Sequence, residues 1–262
     1  MHFVEAKGIL SAQNGMNLYR GCTHGCIYCD SRSKCYQFTH PFEDIEVKEN
    51  APRLLEKALR SRRKKCMIGT GAMCDPYMHC EEELGLTRRC LEIIDRYGFG
   101  VVVQMTLTTY DENLCRILEP NVSTTAERVR ALEIFRDNGI PTVVWLSPIL
   151  PFINDTRENI EGILGCCVRA KVHGILCFGM GMTLREGDRE YFYGALDRHF
   201  PGLRQKYHHK YGYSYELKSD RHEELMEIFR DVCRRNGIVH EVDACFQYLH
   251  EFPEKYNQLT FF

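Results

Sequence analysis

Apolar residues along the chain follow two patterns, short continuous runs and longer stretches with apolar positions three and four residues apart. The runs predict buried strands, and the longer stretches predict amphipathic helices. Strands are predicted over 66–68, 101–107, 142–146 and 174–178, and helices over 50–62, 81–97, 124–137, 157–170 and 221–236. This alternation favours an α/β fold with a parallel sheet and helices outside it.

The loops that follow the predicted strands are the places to look for chemistry, because sites in such sheets gather at the carboxyl ends of the strands. Five loops stand out: YRGCTHGCIYCD, GTGAMCDPY, TLTTYDE, SPILPFIND and GMGMTLREG. From about residue 200 the pattern changes to the aromatic, polar stretch FPGLRQKYHHKYGYSYE. We therefore expect a core domain over 1–200, with a helical and irregular extension over 201–262 packed against it.

Composition narrows the class of protein. The net charge of −2 over 262 residues gives no global basic field for nucleic acid or an anionic membrane. No apolar run reaches the ~18 residues of a transmembrane helix, and the start of the chain lacks the layout of a signal peptide. These features predict a cytoplasmic protein with no membrane partner.

Fourteen cysteines are many for a cytosolic chain of this length. Six of them occupy apolar positions of predicted helices and strands, where cysteine is an ordinary small core residue. The residues assigned to the core in this way are Cys90, Cys115, Cys166, Cys167, Cys177 and Cys233. Cys22, Cys26 and Cys29 differ, because they share one loop with polar residues that do not build a core.

Three thiolates in one loop suit either of two inorganic groups. A structural zinc site needs four ligands, and Cys35 is a conceivable fourth. The other group is a [4Fe–4S] cluster held by Cys22, Cys26 and Cys29, which leaves one iron open to a small molecule. The spacing C-x3-C-x2-C, with Tyr28 before the last cysteine, is a specific signal.

This loop resembles the signature of the radical S-adenosylmethionine enzymes, and the wider sequence is similar to the branch related to spore photoproduct lyase. The resemblance covers nearly the whole chain. It is carried by MHFVEAKGILS, YRGCTHGCIYCDSRSKCY, MIGTGAMCDPY, VQMTLTTYDENLCRILEPNVSTT, VVWLSPILPFIND and CFGMGMTLREGDREYFY. It implies a partial (β/α) barrel with the cluster at the carboxyl ends of the strands.

The resemblance also implies an activity. Cys22, Cys26 and Cys29 would ligate three irons, and S-adenosylmethionine would bind the fourth. Reduction by a donor such as flavodoxin or ferredoxin would cleave the cofactor to a 5′-deoxyadenosyl radical, which abstracts hydrogen from a substrate. DNA is a candidate substrate because of the namesake of the branch, although the near-neutral charge does not favour it.

The loop GTGAMCDPY contains residues that match contacts of S-adenosylmethionine in this superfamily. Gly69, Thr70 and Gly71 follow a predicted strand and match the stretch that binds the methionyl amino group, where glycine permits close backbone approach. On its own, this tripeptide is an ordinary turn between a strand and a helix. Asp75 follows in the same loop, where it either orients the cofactor or caps a turn.

The remaining matched residues lie after later strands and beside the cysteines. Thr106 and Thr108 would meet the ribose or the carboxylate, or they are threonines that simply favour β structure. Pro148 would pack against adenine, or it ends a strand. Tyr28 would lie near adenine.

The chain departs from this branch in two places. Relatives have an extra strand and helix ahead of VVQMTLTT, and a Thr-Lys-Ser-type motif on that strand places a lysine near the cofactor. Here Gly100 runs directly into Val101, so we expect a barrel shortened by one strand–helix unit, where a full βαβ unit has ~30 residues. The lyase also takes its hydrogen donor from a cysteine at the position of Ala72, so Cys74 and Cys35 become the candidates for that role.

Two other interpretations stay open. The chain could be a truncated, non-catalytic relative that still binds a cluster or zinc. It could instead be a zinc-stabilised nucleic-acid-binding module with Cys35 as fourth ligand.

Overall fold

The computed structural model describes residues 1–71 and 74–253. The described residues form short strands and mostly longer helices, in mixed order. In chain order they are β1 (His2–Val4), β2 (Gly15–Met16), β3 (Tyr19–Arg20), β4 (Glu46–Lys48), α1 (Ala51–Ser61), β5 (Gly69–Thr70), α2 (Glu81–Leu84), α3 (Leu86–Arg96), β6 (Val103–Thr106), α4 (Glu112–Leu118), α5 (Thr125–Asp137), β7 (Thr142–Trp145), α6 (Arg157–Arg169), β8 (Gly174–Leu176), β9 (Gly181–Thr183), α7 (Asp188–His199), α8 (Leu203–Tyr211), β10 (Glu216–Lys218), α9 (His222–Asn236) and α10 (Val242–His250).

One three-stranded parallel sheet, in the order β6-β7-β8, forms the centre of the second half of the chain. Side chains alternate across it, as a pleated strand requires. Val144 on β7 packs into the apolar core that contains residues of α5, α6 and α9. Its neighbour Val143 faces the other way, toward Cys245 and Leu249 of α10. The sheet is therefore covered by helices on both faces.

Two smaller sheets organise the first half of the chain. β1, β4 and β3 form a mixed sheet, and β2 pairs with β5 in parallel. Because β2 and β3 are separated by only two residues, the stretch 15–20 belongs to both sheets. Helices α1 and α3 pack against this part through Leu55, Leu59, Cys90 and Ile94.

The two halves meet where the sequence predicts a missing strand–helix unit. The Ile68 N–H donates to the Gly100 carbonyl at 2.7 Å, and Met67 forms an isolated parallel bridge with Gly100. Only residues 97–102 separate α3 from β6. The sheets are not closed into a barrel within the described residues, so the mixed α/β class is confirmed and the partial barrel stays a prediction.

Most predicted elements are present, with shorter strands and one divided helix. The predicted helix over 81–97 is two helices, because Gly85 adopts φ +55° and ends α2. The capping box of α5 is complete, with both the Thr124 and Glu127 side chains bonded to the backbone. The six cysteines assigned to the core are all buried.

The region after residue 200 contains the predicted helix over 221–236 as α9, and the stretch before that helix is more regular than its polar, aromatic sequence indicates. It contains α8, whose apolar periodicity is weak because Tyr207 alone among its side chains is fully buried. β10 pairs antiparallel with β9. Leu225, Phe229 and Cys233 of α9 pack into the same core as α6. None of the described helices is long and apolar enough to cross a membrane.

Candidate functional site

The cysteine loop begins where β3 ends, and its first turn can be made only with glycine. Gly21 has φ +91°, and a Cβ there would lie 2.4 Å from the Phe42 carbonyl oxygen. That same oxygen accepts the Cys22 N–H at 3.0 Å. The close approach of the two backbones fixes the direction in which Cys22 leaves the sheet.

The three thiols of this loop influence one another. Burial is the main reason that the pKa of each is raised. Cys22 and Cys29 raise the pKa of Cys26 further, and Cys22 does the same to Cys29. All three pairs therefore lie within electrostatic range. Three neutral thiols held together in this way become favourable thiolate ligands once a cation is present.

Hydrogen-bond donors already point at two of the sulfurs. The Cys22 sulfur accepts the backbone N–H groups of His24 and Asp75, and both bonds lower the pKa of Cys22 against the larger effect of burial. The Cys29 sulfur accepts the N–H and the hydroxyl of Ser31. Donors of this kind stabilise negative charge on ligand sulfur and tune the potential of an iron–sulfur cluster.

The distances between the sulfurs bear on whether this loop suits a single zinc ion. A tetrahedral zinc with Zn–S bonds of ~2.3 Å holds its sulfurs ~3.8 Å apart. Cys22, Cys26, Cys29 and Cys35 all lie within the described residues, and no three of these sulfurs lie within 4.8 Å of one another. As placed, these four sulfurs do not form the close trio that a single zinc ion needs.

The end of α4 and the loop that follows it form hydrogen bonds with the cysteine loop. The Leu118 carbonyl accepts the Ile27 N–H at 2.9 Å. Asn121 donates its N–H to the His24 carbonyl at 3.1 Å and its side-chain amide to the Thr23 carbonyl at 3.1 Å. Gly25, with φ +73°, makes the turn between these contacts. Hydrogen bonds therefore hold the backbone on both sides of Cys26 in place.

A buried ion pair lies directly behind Cys26 and was not foreseen from the sequence. The carboxylate of Glu119 and the guanidinium of Arg128 are in contact, with side chains only 1% and 8% exposed. Glu119 also accepts the hydroxyls of Tyr28 and Thr108, the latter at 3.1 Å. Its charge raises the pKa of Cys26, after the larger effect of burial. An acidic residue that follows a helix carries no sequence signal of such burial.

Arg128 extends this network to the carboxyl end of the central sheet. Its other nitrogen donates to the Thr106 carbonyl at 2.7 Å. The Thr108 carbonyl accepts the side-chain amides of Asn154 and Asn159 at 3.0 and 2.8 Å. Thr106, Thr108 and Tyr28 are thus brought together around the ion pair. The Thr108 and Tyr28 hydroxyls already have protein partners.

The GTG loop begins at β5, which pairs in parallel with β2. β2 in turn leads through β3 into the cysteine loop. Gly69 and Thr70 form β5, and Gly71 follows with φ +84°. Asp75 accepts the Tyr77 N–H at 2.7 Å, so it caps a turn, and its other oxygen lies 3.5 Å from His24 Nδ1. Ala72 lies outside the described residues.

The two candidate hydrogen donors occupy different surroundings. Cys74 is buried and donates to the Tyr19 carbonyl at 3.0 Å, and burial raises its pKa to about 12. It lies within electrostatic range of Cys22. Cys35 is exposed, and its sulfur accepts Arg185 Nη1 at 3.5 Å. Of the two candidates, Cys74 is thus the one whose pKa is influenced by a cysteine of the loop, Cys22.

Pro148 lies in the loop after β7, at the same carboxyl edge as Thr106. Its neighbour Ile149 is buried and donates its N–H to the Gly181 carbonyl at 3.0 Å. These contacts place Pro148 beside the start of β9. The prediction that it packs against adenine stays a prediction.

Comparison with curated proteins finds relatives of low identity. A protein of Mycobacterium tuberculosis is 28% identical over 75% of this chain and 66% of its own length. A protein of Methanocaldococcus jannaschii is 27% identical over 60% of this chain and 66% of its own length. A protein of Acidianus two-tailed virus is 23% identical over 62% of this chain and 66% of its own length.

These relatives are all described as uncharacterized, so they are similar to this chain without lending it an activity. The matches cover 66% of their length, so the chain spans a little under two thirds of the relatives. No protein-family model matches the chain.

Proposed function

We propose that this chain is a radical S-adenosylmethionine enzyme that binds a [4Fe–4S] cluster through Cys22, Cys26 and Cys29. The observation that supports it most is the cysteine loop itself. Three mutually interacting thiols share one loop whose backbone is held by hydrogen bonds. When bound, the cluster and S-adenosylmethionine supply a one-electron cleavage that yields a 5′-deoxyadenosyl radical.

The protein's own contribution is to hold the thiolates and shield them. The N–H groups of His24 and Asp75 and the groups of Ser31 donate to ligand sulfurs. The Glu119–Arg128 pair brings no net charge, yet it fixes Tyr28 beside the last cysteine. A low-dielectric pocket of this kind sets the potential of a bound cluster through burial and hydrogen bonds.

The GTG loop is the proposed site for the methionyl part of the cofactor. It begins at the strand that pairs with β2, which leads through β3 into the cysteine loop, and a Cβ at Gly69 would meet nothing within 4 Å, so the backbone there is open to a ligand. Asp75 would act indirectly, by capping the turn and donating its N–H to Cys22. Thr106 and Pro148 lie at the matching edge of the central sheet.

The reaction on the substrate is proposed only by its class, a lyase-like hydrogen abstraction. Cys74 is the better candidate for a thiol hydrogen donor, because it lies within range of Cys22, whereas the Cys35 sulfur accepts Arg185. A DNA lesion is the substrate that the resemblance favours. Electrons would come from a flavodoxin or ferredoxin.

A second candidate function is cluster binding without cofactor cleavage. The observation that favours it is the direct passage from α3 to β6, because the resembled branch has an extra strand at this place that carries a lysine near the cofactor. The alternative of a zinc module with Cys35 has less support, because no three of the four sulfurs lie within 4.8 Å of one another.

The test is anaerobic reconstitution with iron and sulfide, followed by dithionite and S-adenosylmethionine. We expect a brown protein with about four irons per chain, and 5′-deoxyadenosine as product. Cys26→Ala should lose both, while Cys66→Ala, a half-buried cysteine of another loop, should keep both.

The outcomes separate the candidates. A brown wild type that makes no 5′-deoxyadenosine, even with lesion-containing DNA present, would favour the non-catalytic candidate. A colourless protein that retains zinc but no iron would reject the cluster.

A further inference from the structure

A second group of metal-binding side chains lies at the start of the chain, outside the cysteine loop. β1 and β4 are parallel, and their register places His2 directly opposite Glu46. His40 approaches both from the segment that leads into β4. One ligand atom from each of the three lies within 4.8 Å of the other two, and no other trio of His, Cys, Asp or Glu among the described residues does so.

Each histidine ring already has the outer partner that a metal ligand needs. His2 Nδ1 lies 3.0 Å from Asp44 Oδ2, and His40 Nδ1 lies 3.0 Å from the Pro41 carbonyl oxygen. Histidines that bind metals typically donate one ring N–H to a carboxylate or a backbone carbonyl, which leaves the other nitrogen for the ion. In both rings the nitrogen left over is Nε2.

His40 Nε2 in particular lacks a hydrogen-bond partner. It is buried, it makes no hydrogen bond, and it lies 3.8 Å from Glu46 Oε2, too far to donate to it. A buried polar atom without a partner costs free energy, so its presence needs a reason. An ion between His40 and Glu46 would supply one.

The cation directly opposite Glu46 on the neighbouring strand is engaged elsewhere. Arg20 stands opposite Glu46 on β3. Its guanidinium nevertheless donates to the carbonyls of Tyr36 and Gln37, at 2.7 and 3.1 Å, and stacks over the Phe38 ring. The carboxylate of Glu46 therefore remains available to a metal.

We propose that His2, His40 and Glu46 bind a zinc ion. Two imidazoles and one carboxylate form a donor set that suits Zn²⁺, and three protein ligands leave a fourth position for water. Bound zinc would tie β1 to β4 and to the segment of His40. That segment also contains Phe42, whose carbonyl accepts the Cys22 N–H. The site is independent of the proposed function of the cysteine loop.

The test compares zinc content and zinc environment in the full-length, iron-loaded chain. After dialysis against Zn²⁺ and removal of free metal, the wild type should keep one zinc per chain more than His40→Ala. Absorption at the zinc edge should show only nitrogen and oxygen neighbours at ~2.0–2.2 Å. His209→Ala, which removes an exposed histidine, should match the wild type. Asp44→Asn, which changes the outer partner of His2 and also weakens the pair between Asp44 and the Met1 ammonium group, should weaken zinc binding ten- to a hundred-fold.

Equal zinc in the wild type and His40→Ala would overturn the proposal, and so would sulfur neighbours around the extra ion. If iron loading fails, zinc on the cysteines appears equally in both proteins and carries a sulfur signature. Failure of the proposed function therefore leaves the comparison intact. Glu46→Gln is the conservative second variant if His40→Ala does not fold, and it should lose the same zinc.

Discussion

The ion pair behind the cysteine loop gives the strongest prediction about stability. Glu119→Gln keeps the shape of the side chain but removes its charge, so Arg128 becomes a buried cation without a counter-charge. The new amide would also point a donor at Arg128 or Tyr28, which are both donors. Breaking a buried pair from one side costs about 3–5 kcal/mol.

That cost is large against the total free energy of unfolding, which is about 5–15 kcal/mol for a typical domain. With an m-value of about 3 kcal/mol per M in urea, the midpoint of unfolding should fall by about 1–1.7 M. Urea titration followed by circular dichroism measures this on the metal-free chain. Glu161→Gln is the matched control, because its pair with Arg157 is 50–59% exposed and should contribute less than about 0.5 kcal/mol.

The reasoning would be refuted if both Gln variants lowered the midpoint equally. A further check replaces both partners, Glu119→Met with Arg128→Met. Removing both charges leaves no unpaired ion, so the double variant should cost less than the two single variants together.

Three other predictions test separate features. Gly21→Ala forces a Cβ to 2.4 Å from the Phe42 carbonyl oxygen, so this variant should lose both stability and bound iron. Gly98→Ala also places alanine at positive φ but in open space, so it should cost only about 1–2 kcal/mol of stability. Iron content and urea titration check both variants. Burial raises the pKa of Asp188 from 3.8 to about 6, so the folded state binds a proton that the unfolded state has already released. The wild type should therefore lose stability relative to Asp188→Asn as the pH rises from about 4 to about 6. A difference in urea midpoint between the two proteins that stays constant over this range would contradict the prediction. Thr124→Ala removes one half of the capping box of α5 and should lower the free energy of unfolding by about 1 kcal/mol, seen as a small fall in the urea midpoint. An unchanged midpoint would mean that the cap does not contribute to stability.

Local chemistry in the sequence was enough to predict the helical regions that hold α1, α2 with α3, α5, α6 and α9, and the three central strands β6, β7 and β8. It did not predict α4, α7, α8 or α10, nor most of the remaining strands. The capping box at Thr124 and the apolar spacing of α6 are local signals, and both are confirmed. The division of the helix over 81–97 at Gly85 was missed, because one glycine within an otherwise periodic stretch does not announce a left-handed turn. The same holds for α8, whose single buried tyrosine gives too weak a pattern.

The candidate site was predictable only in part, for a physical reason. The cysteines stand out because three thiols in eight residues have no ordinary structural explanation. Glu119 and His40 do not stand out, because their roles depend on partners far away in the sequence. Glu119 meets Tyr28 across 91 positions, and His2 meets Asp44 across 42. Such pairs become visible only when the fold brings them together.

Helix α10 shields one face of the central sheet from solvent. A three-stranded wall with helices on one side only would leave Val143 and Leu176 facing water, and α10 covers both. α10 begins at Val242, more than sixty residues after the end of β8 at Leu176. Both faces of the sheet can therefore be apolar, because a helix from a distant part of the sequence completes the second face. Folding of this half of the chain accordingly depends on a long-range contact, and removing α10 would expose apolar surface on the sheet.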